Sequence, residues 1–545
     1  MFARYLVKNI HVSRENLHWS ALRLGIRSAF SLPMGEKAVF ADTTNVTLLD
    51  QLIAEQQELT AVAEFARAHD RGEITASRYS RLMPMTAPGA GQQFAFEVDL
   101  DRCSGCKACV TACHALNGLD DGEAWRQVGT LISEDWRRPF RQTVPTTCHH
   151  CADPACLTGC PVLAYEKDAV TGIVKHLDDQ CIGCQYCVMM CPYEVPQYSK
   201  RRGIVRKCDM CSQRLSVGEA PACVQACPSE AIRITIVDRG NLEAIYRTES
   251  TACEVRTKDF LPTSPDPAIT LPSTRFISGR PLAPDLIQSD AAELRPQPAH
   301  APLVWMLVLT QLGVGSAIFA QAVPSNAQAR LLWLAVIATV AGLGASVAHL
   351  GKPSKAWRSF LGLRTSWLSR EIVAFGAFAT VLSVAVVTRS PVALCVASLA
   401  GVAGVLSSAF VYQATRRVFW MGAGSFGKFF GSTLLLGAAA AWLAVGSSWL
   451  AVATGIAALL KMAIERNALA CADPTAQLVR DRFGLVARTR ALCAFGAVVA
   501  SFSSLLADTA LILAAATFAL ALTGELLERY LFFRTVVPPR MPGSP

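Results

Sequence analysis

Sixteen of the chain's twenty cysteines fall between Cys103 and Cys227 in four blocks of four, a density that no apolar core requires. The first block is Cys103-x2-Cys106-x2-Cys109-x3-Cys113, and the third repeats it as Cys181-x2-Cys184-x2-Cys187-x3-Cys191-Pro192. The second is Cys148-x2-Cys151-x4-Cys156-x3-Cys160-Pro161, and the fourth is Cys208-x2-Cys211-x11-Cys223-x3-Cys227-Pro228. Three thiolates from one tight loop can hold three irons of a cubane, while the cysteine that closes the block ligates a neighbouring cluster. Four blocks therefore predict four [4Fe-4S] clusters. Structural zinc would use isolated CxxC knuckles in a closed tetrahedron, a poor fit to a third and fourth cysteine so close by. Disulfides are disfavoured by the tight spacing and by the lack of an export signal. Cys109-Val-Thr-Ala-Cys113-His114 has one residue too many for a c-type haem motif. The same block is the one that lacks a proline after its last cysteine.

The rest of the 545 residues divide by polarity. Hydrophobic residues make up 52% and mean hydropathy is +0.32, too apolar for a fully soluble chain. From Leu303 onward eight apolar segments are expected, near Leu303–Val323, Leu331–Leu350, Trp367–Val387, Val392–Tyr412, Phe429–Val445, Trp449–Ile464, Ala491–Leu506 and Thr509–Leu526. A span needs ~20 apolar residues, so the last four are short enough that six spans remains an alternative. Alternating Phe94, Phe96, Val98 and Leu100 before the first block, and Ile232, Ile234 and Ile236 after the last, predict the edge strands of a ferredoxin-type module. The expected fold is an α+β ferredoxin-like iron-sulfur domain of two bis-[4Fe-4S] modules, followed by an all-α polytopic membrane bundle of about eight transmembrane helices. The boundaries read as an N-terminal helical extension over 1–92, the four-cluster domain over 93–255, a Pro-rich linker over 256–301, the membrane anchor over 302–530 and a tail over 531–545. Within the extension, Thr47 can cap a helix carrying Leu48, Leu49, Leu52, Leu59 and Val62 that stops near Gly72. The net charge of +9 has no aromatic-interleaved basic patch, so nucleic acid is not expected as a partner.

The block order, the x4 gap of the second block and the x11 gap of the fourth resemble the four-cluster electron-transfer subunit of the dimethyl sulfoxide reductase family of molybdopterin oxidoreductases. That resemblance implies crossed ligand sets: Cys103, Cys106, Cys109 and Cys227; Cys208, Cys211, Cys223 and Cys113; Cys148, Cys151, Cys156 and Cys191; Cys181, Cys184, Cys187 and Cys160. It also implies a separate catalytic subunit carrying the molybdopterin cofactor. No site for a terminal acceptor is visible in this chain.

Histidine decides the class of anchor. A b-type haem needs paired axial ligands, and from residue 301 onward only His349 is present, with His300 just before it, so no haem is expected. Electrons must then pass directly between quinone and an iron-sulfur cluster. The connection from His349 to Arg370 and Glu371 places costly polar groups at span ends, where they should face the bundle or a polar cavity. With Tyr412-Gln-Ala-Thr-Arg-Arg-Val-Phe-Trp420, it resembles the haem-free anchor subunit of the same family, whose matching histidine and glutamate belong to the menaquinol site. His349, Glu371 and Arg370 are accordingly the expected quinol-site residues, with menaquinol or ubiquinol from the membrane pool as donor. The bland alternative is an interfacial ion pair of Arg370 and Glu371.

Sixteen Lys and Arg residues fall in the even-numbered connections and the tail, against Arg330 and Arg389 opposite. The positive-inside rule therefore predicts a multi-pass protein of the cell inner membrane with its iron-sulfur domain on the cytoplasmic face. This departs from the exported pattern of the family, and it agrees with Met1–Asn9 lacking both a long apolar core and a twin-arginine pair. The expected function is electron transfer from quinol through four clusters to the catalytic subunit. The alternatives are a reversed wire from a dehydrogenase to quinone, and a redox-driven ion or proton transporter. The last is disfavoured because it predicts several buried carboxylates or lysines in mid-span, and the segments offer few beyond Glu371, Lys461 and Asp508, mostly at ends.

Overall fold

The computed structural model describes residues 47–49, 81–135, 137, 139–247, 260–283, 285–470, 473–506 and 510–543. The chain divides into a unit of residues 1–75 and a compact unit of residues 76–545. The helix expected from Thr47 to Gly72 lies almost wholly outside the described residues, as does Asp508.

In the larger unit, the two predicted edge strands find each other. β1 (Gln92–Asp99) runs antiparallel to a strand at Ile232–Asp238, with Phe94 opposite Ile236, Phe96 opposite Ile234 and Val98 opposite Ile232. That ladder brings the start of the first cysteine block beside the end of the fourth. The intervening strands form small antiparallel pairs: β2 (Gln127–Ser133) with β3 (Arg141–Thr146), β4 (Tyr165–Lys167) with β5 (Val174–His176), and β6 (Gln197–Ser199) with β7 (Ile204–Arg206). The strand at 232–238 is thus β8.

Between the blocks the helices are short, and their lengths follow from the residue after the last cysteine. α1 (Ala108–Asn117) runs on through Cys113 because His114 follows it, whereas α2 (Ala155–Thr158) and α3 (Tyr186–Met190) stop before Cys160-Pro161 and Cys191-Pro192. Proline disfavours helical backbone at the residue before it. α4 (Ser212–Ser216), α5 (Ala222–Gln225) and α6 (Arg239–Arg247) complete this half.

The stretch 256–301 is not a free linker. Its described part supplies β9 (Arg275–Ile277), parallel to β1, and β10 (Leu286–Gln288), antiparallel to β2. Phe260, Leu261, Leu271 and Leu286 are buried in the core of the iron-sulfur domain. Proline richness there reflects edge strands and turns, where a missing N–H does no harm. The C-terminal tail is likewise packed: Phe532, Phe533, Val536 and Met541 are buried, and the Gln288 amide donates to the Arg540 carbonyl at 2.9 Å.

Among the described residues, eight helices are long and apolar enough to cross a membrane. They are α7 (Ala301–Phe319), α8 (Ser325–Ala348), α9 (Trp367–Thr388), α10 (Pro391–Gln413), α11 (Ala423–Val445), α12 (Ser448–Ala470) and, after the short α13 (Asp473–Arg482), α14 (Gly484–Ser503) and α15 (Ala510–Arg534). α7 and α11 form the centre of the bundle, and their backbones approach so closely at Gly315 and Gly437 that a Cβ on Gly315 would lie 2.2 Å from the Thr433 carbonyl.

The loop between α8 and α9 docks on the iron-sulfur domain by backbone contact. The Lys352 amide donates to the Ile182 carbonyl at 3.0 Å, the Gly362 amide to Pro161 at 2.8 Å, and the Ser366 hydroxyl to Gly159 at 2.7 Å. Only glycine fits at the tightest point, since a Cβ on Gly351 would sit 2.1 Å from the Gly203 carbonyl and 2.7 Å from the Tyr198 hydroxyl.

The expectation of few ionisable groups inside the spans is corrected. Lys428, Lys461, Glu465, Arg490, Glu525, Glu528 and Arg529 all lie within α11, α12, α14 and α15, and six of them are buried at 5% exposure or less. Lys461 pairs with Glu525 and donates to the Ser432 hydroxyl at 2.6 Å, while Arg490 reaches Glu465 at 2.7 Å and Glu525 at 3.1 Å. Arg529 pairs with Glu528, and the Lys428 ammonium lies 3.6 Å from the Phe419 ring centroid. The apolar segments read from sequence took in Lys461 and Glu525 but ended short of the other five; the helices extend further, because paired charges need not interrupt a helix. Removing one partner of a buried pair costs about 3–5 kcal/mol. Lys461→Met should therefore lower the thermal stability of the detergent-solubilised chain by that order, and Lys461→Met with Glu525→Gln should recover most of it.

Candidate functional site

The first and third blocks share a backbone device that curls three cysteines inward. Gly105 (φ +75°) and Gly183 (φ +71°) sit between the first and second cysteines, and Lys107 and Gln185 adopt the left-handed region just after the second. A short helix then carries the third cysteine, leaving the fourth one turn away and facing a different neighbour.

The sulfurs gather in four groups. Cys148, Cys151, Cys156 and Cys191 line one small cavity, and Cys160, Cys181, Cys184 and Cys187 line another. Cys109 lies in the electrostatic field of Cys223, Cys227 and Cys103, and Cys103 in that of Cys227 and Cys106. Cys113 instead faces Cys223 and Cys211 from α1. Among the described residues no three His, Cys, Asp or Glu side chains converge on one metal-ion position, which a mononuclear zinc site would need.

Donors suited to sulfide and thiolate surround these groups. Backbone amides of Ala164, Ala231, Gly183 and Met210 point at the sulfurs of Cys160, Cys227, Cys181 and Cys208 at 3.2–3.4 Å. The Arg126 guanidinium is buried with none of its nitrogens bonded to protein, and Lys207 approaches the Cys148 sulfur at 3.6 Å. The donor set and the space between the sulfurs fit iron-sulfur clusters. Burial pushes the free thiols up, Cys109 and Cys211 to about 11 and Cys113 to about 12. Iron binds thiolate, so loading must expel protons and weakens as pH falls. Reconstitution of reduced apo-protein with iron and sulfide, followed by visible absorption, should accordingly lose yield steadily on acidification.

His349 and Glu371 converge on a cavity of about 270 Å³ between the bundle and the iron-sulfur domain. His349 caps the end of α8, and its Nε2 is buried without a protein partner among the described residues. Burial lowers the pKa of His349 and pushes that of the adjoining His300, whose ring lies 5.2 Å away, down to about 4. Glu371, in the first turns of α9, accepts from the Ser408 hydroxyl of α10. Cys184, Tyr186 and Met189 from the third block and Tyr412 from α10 also wall the cavity. Cys184 therefore faces both this cavity and the fourth sulfur group.

Arg370 is not brought to the cavity. It neighbours Glu371 on one helix and so projects elsewhere, donating to the Leu363 and Arg364 carbonyls at 3.2 and 2.8 Å and stacking on Trp367. The interfacial ion pair with Glu371 is equally absent among the described residues. Sequence reasoning missed Tyr186, although its place inside the third block was a signal, and treated His300 only as a linker residue. Gly351→Val should separate the docked halves; the expected readout is retained iron content with cluster reduction by a quinol analogue falling at least tenfold.

Two family models match: "4Fe-4S dicluster domain" over residues 140–237 and "DMSO reductase anchor subunit (DmsC)" over residues 298–534. The B subunit of the anaerobic dimethyl sulfoxide reductase of Haemophilus influenzae is 36% identical over 168 residues, 29% of this chain and 80% of the relative. Its Escherichia coli counterpart is 36% identical over 166 residues, 28% and 80% of the two sequences. Thiosulfate reductase electron transfer subunit PhsB of Salmonella typhi is 35% identical over 154 residues, again 28% and 80%. With paired sulfur cradles joined to an eight-helix anchor in one polypeptide, this protein belongs to the family of the anaerobic dimethyl sulfoxide reductase B subunit, fused to that reductase's anchor domain, and serves electron transfer and membrane anchoring.

Proposed function

We propose that the chain oxidises quinol at the His349–Glu371 cavity and passes the electrons through four clusters to a separate molybdopterin-containing subunit that reduces a terminal acceptor. The observation that carries this reading is the shared wall: Cys184 borders both the cavity and the fourth sulfur group. The ligand sets we assign are Cys103, Cys106, Cys109 and Cys227; Cys208, Cys211, Cys223 and Cys113; Cys148, Cys151, Cys156 and Cys191; Cys181, Cys184, Cys187 and Cys160. Clusters held there supply one-electron transfer.

The chain's own residues handle the protons. Quinol oxidation releases two electrons and two protons. The neutral His349 ring, whose Nε2 has no other partner, accepts one proton, and the Glu371 carboxylate accepts the other while Ser408 holds it in place. Burial keeps His349 unprotonated near neutrality and so ready to act as the base. Apolar neighbours such as Met189, Met306 and Phe375 give the cavity the largely apolar lining typical of a small-molecule site.

Membrane orientation is part of the same proposal. Of the sixteen cations counted on one side, Lys428, Arg490 and Arg529 are buried within helices, which leaves thirteen against Arg330 and Arg389. The bias still supports a cytoplasmic iron-sulfur domain in the inner membrane. The transport alternative gains support from the buried charges of α11, α12, α14 and α15. Yet those charges are largely paired with each other, and the aromatic layer of Tyr412, Phe429 and Phe532 stands between them and the cavity.

Low-temperature EPR of membranes holding the chain and its partner tests the reading. His349→Ala and Glu371→Gln should each reduce quinol-driven cluster reduction at least a hundredfold, while dithionite still reduces every cluster. Wild-type behaviour in both variants contradicts the site. Cys113→Ala should disturb the signal altered by Cys223→Ala, leaving the signal altered by Cys103→Ala intact.

A further inference from the structure

Two cations are buried at the joints between sulfur groups, and neither has a carboxylate to neutralise it within ion-pair distance among the described residues. Lys207 is 3% exposed. Its ammonium lies 3.6 Å from the Cys148 sulfur of one group and donates at 2.8 Å to the carbonyl of Cys208, a member of another. It also bonds the Val174 carbonyl, so three contacts fix its position. Arg126 is 1% exposed, its guanidinium stacked 4.8 Å from the Phe96 ring centroid with all three nitrogens free of protein acceptors. The sulfurs that act on it are Cys223 and Cys208 from one group and Cys109 and Cys113 on α1. Lys207 thus stands between the Cys148 and Cys208 groups, and Arg126 between the Cys208 and Cys103 groups.

The remaining joint differs. Between the Cys148 group and the membrane-facing Cys184 group lies the phenol of Tyr165, beside Cys156, Cys160 and Cys187. The other ionisable side chain lining the Cys184 group is His176, tied to Asp178 at 2.8 Å. No unpaired cation among the described residues lines that group. Lys167 adds a further positive charge on the Cys148 side, donating to the Cys151 and Ala152 carbonyls at 3.1 and 2.7 Å.

Placing a buried cation is expensive unless something negative sits beside it. A [4Fe-4S] centre with four thiolates is such a partner, and it gains one more negative charge on reduction. A fixed cation at short range in a low-dielectric setting favours the reduced form.

We propose that Lys207 and Arg126 are electrostatic positioning residues that raise the reduction potentials of the three outer clusters above that of the membrane-facing cluster, so that electrons run outward from the bundle. The direction of flow is then built into side-chain charge and not left to the partner alone. This rests on reading the four sulfur groups as cluster sites, which spin counting tests separately.

The experiment is an EPR-monitored redox titration of the full chain with its partner, comparing wild type with Lys207→Met, Lys207→Gln, Lys207→Arg and Arg126→Met, each first checked for four clusters. Lys207→Gln keeps a donor but removes the charge, and serves where methionine strips a cluster. The neutral variants should shift the reduction equilibrium of the adjacent clusters at least tenfold toward oxidised, about 59 mV for a one-electron couple. Lys207→Arg should hold the wild-type midpoint, and the cluster marked by Cys160 should not move in any variant. Four clusters with unchanged midpoints, or an equal shift in all four, overturns the proposal. A wild-type count below four overturns the cluster reading instead.

Discussion

Everything in this chain depends on backbone contact between a membrane loop and the loops that hold cysteine. The segment from Gly351 to Ser366 bonds the carbonyls of Gly159, Pro161 and Ile182, which flank Cys160 and Cys181. Hydrogen bonds to backbone carbonyls at 2.7–3.0 Å leave little freedom to slide, and the glycine pair at 203 and 351 removes the side chains that would hold the surfaces apart. The consequence is that Cys184 and Tyr186, which belong to the iron-sulfur domain by sequence, are walls of a membrane cavity in space. Fusion into one polypeptide adds a high effective concentration to a contact already specified by geometry.

Much of this was legible in the sequence. Cysteine spacing is a direct imprint of the curled loop, and alternation around Phe94 and Ile234 is a direct imprint of a paired strand, so both carried over to the structure with their register. His349 and Glu371 were found because polar residues at span ends need a reason. What escaped depended on long-range pairing. Glu465, Arg490 and Glu525 look like span boundaries in a hydropathy profile, since no linear window reveals that each finds an opposite charge on another helix. Phe260 and Leu286 looked like linker residues because short edge strands and proline-rich turns share one composition. Arg370 was grouped with Glu371 by adjacency, and adjacent residues on a helix face different directions.

Charge is used in two distinct ways. In the bundle, acids and bases pair with each other and join α12, α14 and α15 by contacts that lipid cannot provide. Around the cysteines, Arg126 and Lys207 are buried among sulfur, and the orphaned guanidinium nitrogens are explained only by an acceptor that the polypeptide does not itself supply. The uneven distribution, with cations toward the outer groups and a phenol at the inner joint, gives the row of cysteine groups a polarity along its length. The aromatic layer around Tyr412 separates the His349 cavity from the charged helices.

The central claim is that the cavity lined by His349 and Glu371 lies against one particular cluster. A spin-labelled quinol-site ligand bound to the complex, with the clusters reduced, allows pulsed EPR to measure dipolar coupling to each of them. The account predicts that the strongest coupling is to the cluster whose signal is altered by His176→Gln, the neighbour of Cys181, and that the coupling disappears when Glu371→Gln prevents the ligand from seating. Strongest coupling to the cluster altered by Arg126→Met, or none to any cluster, would contradict it.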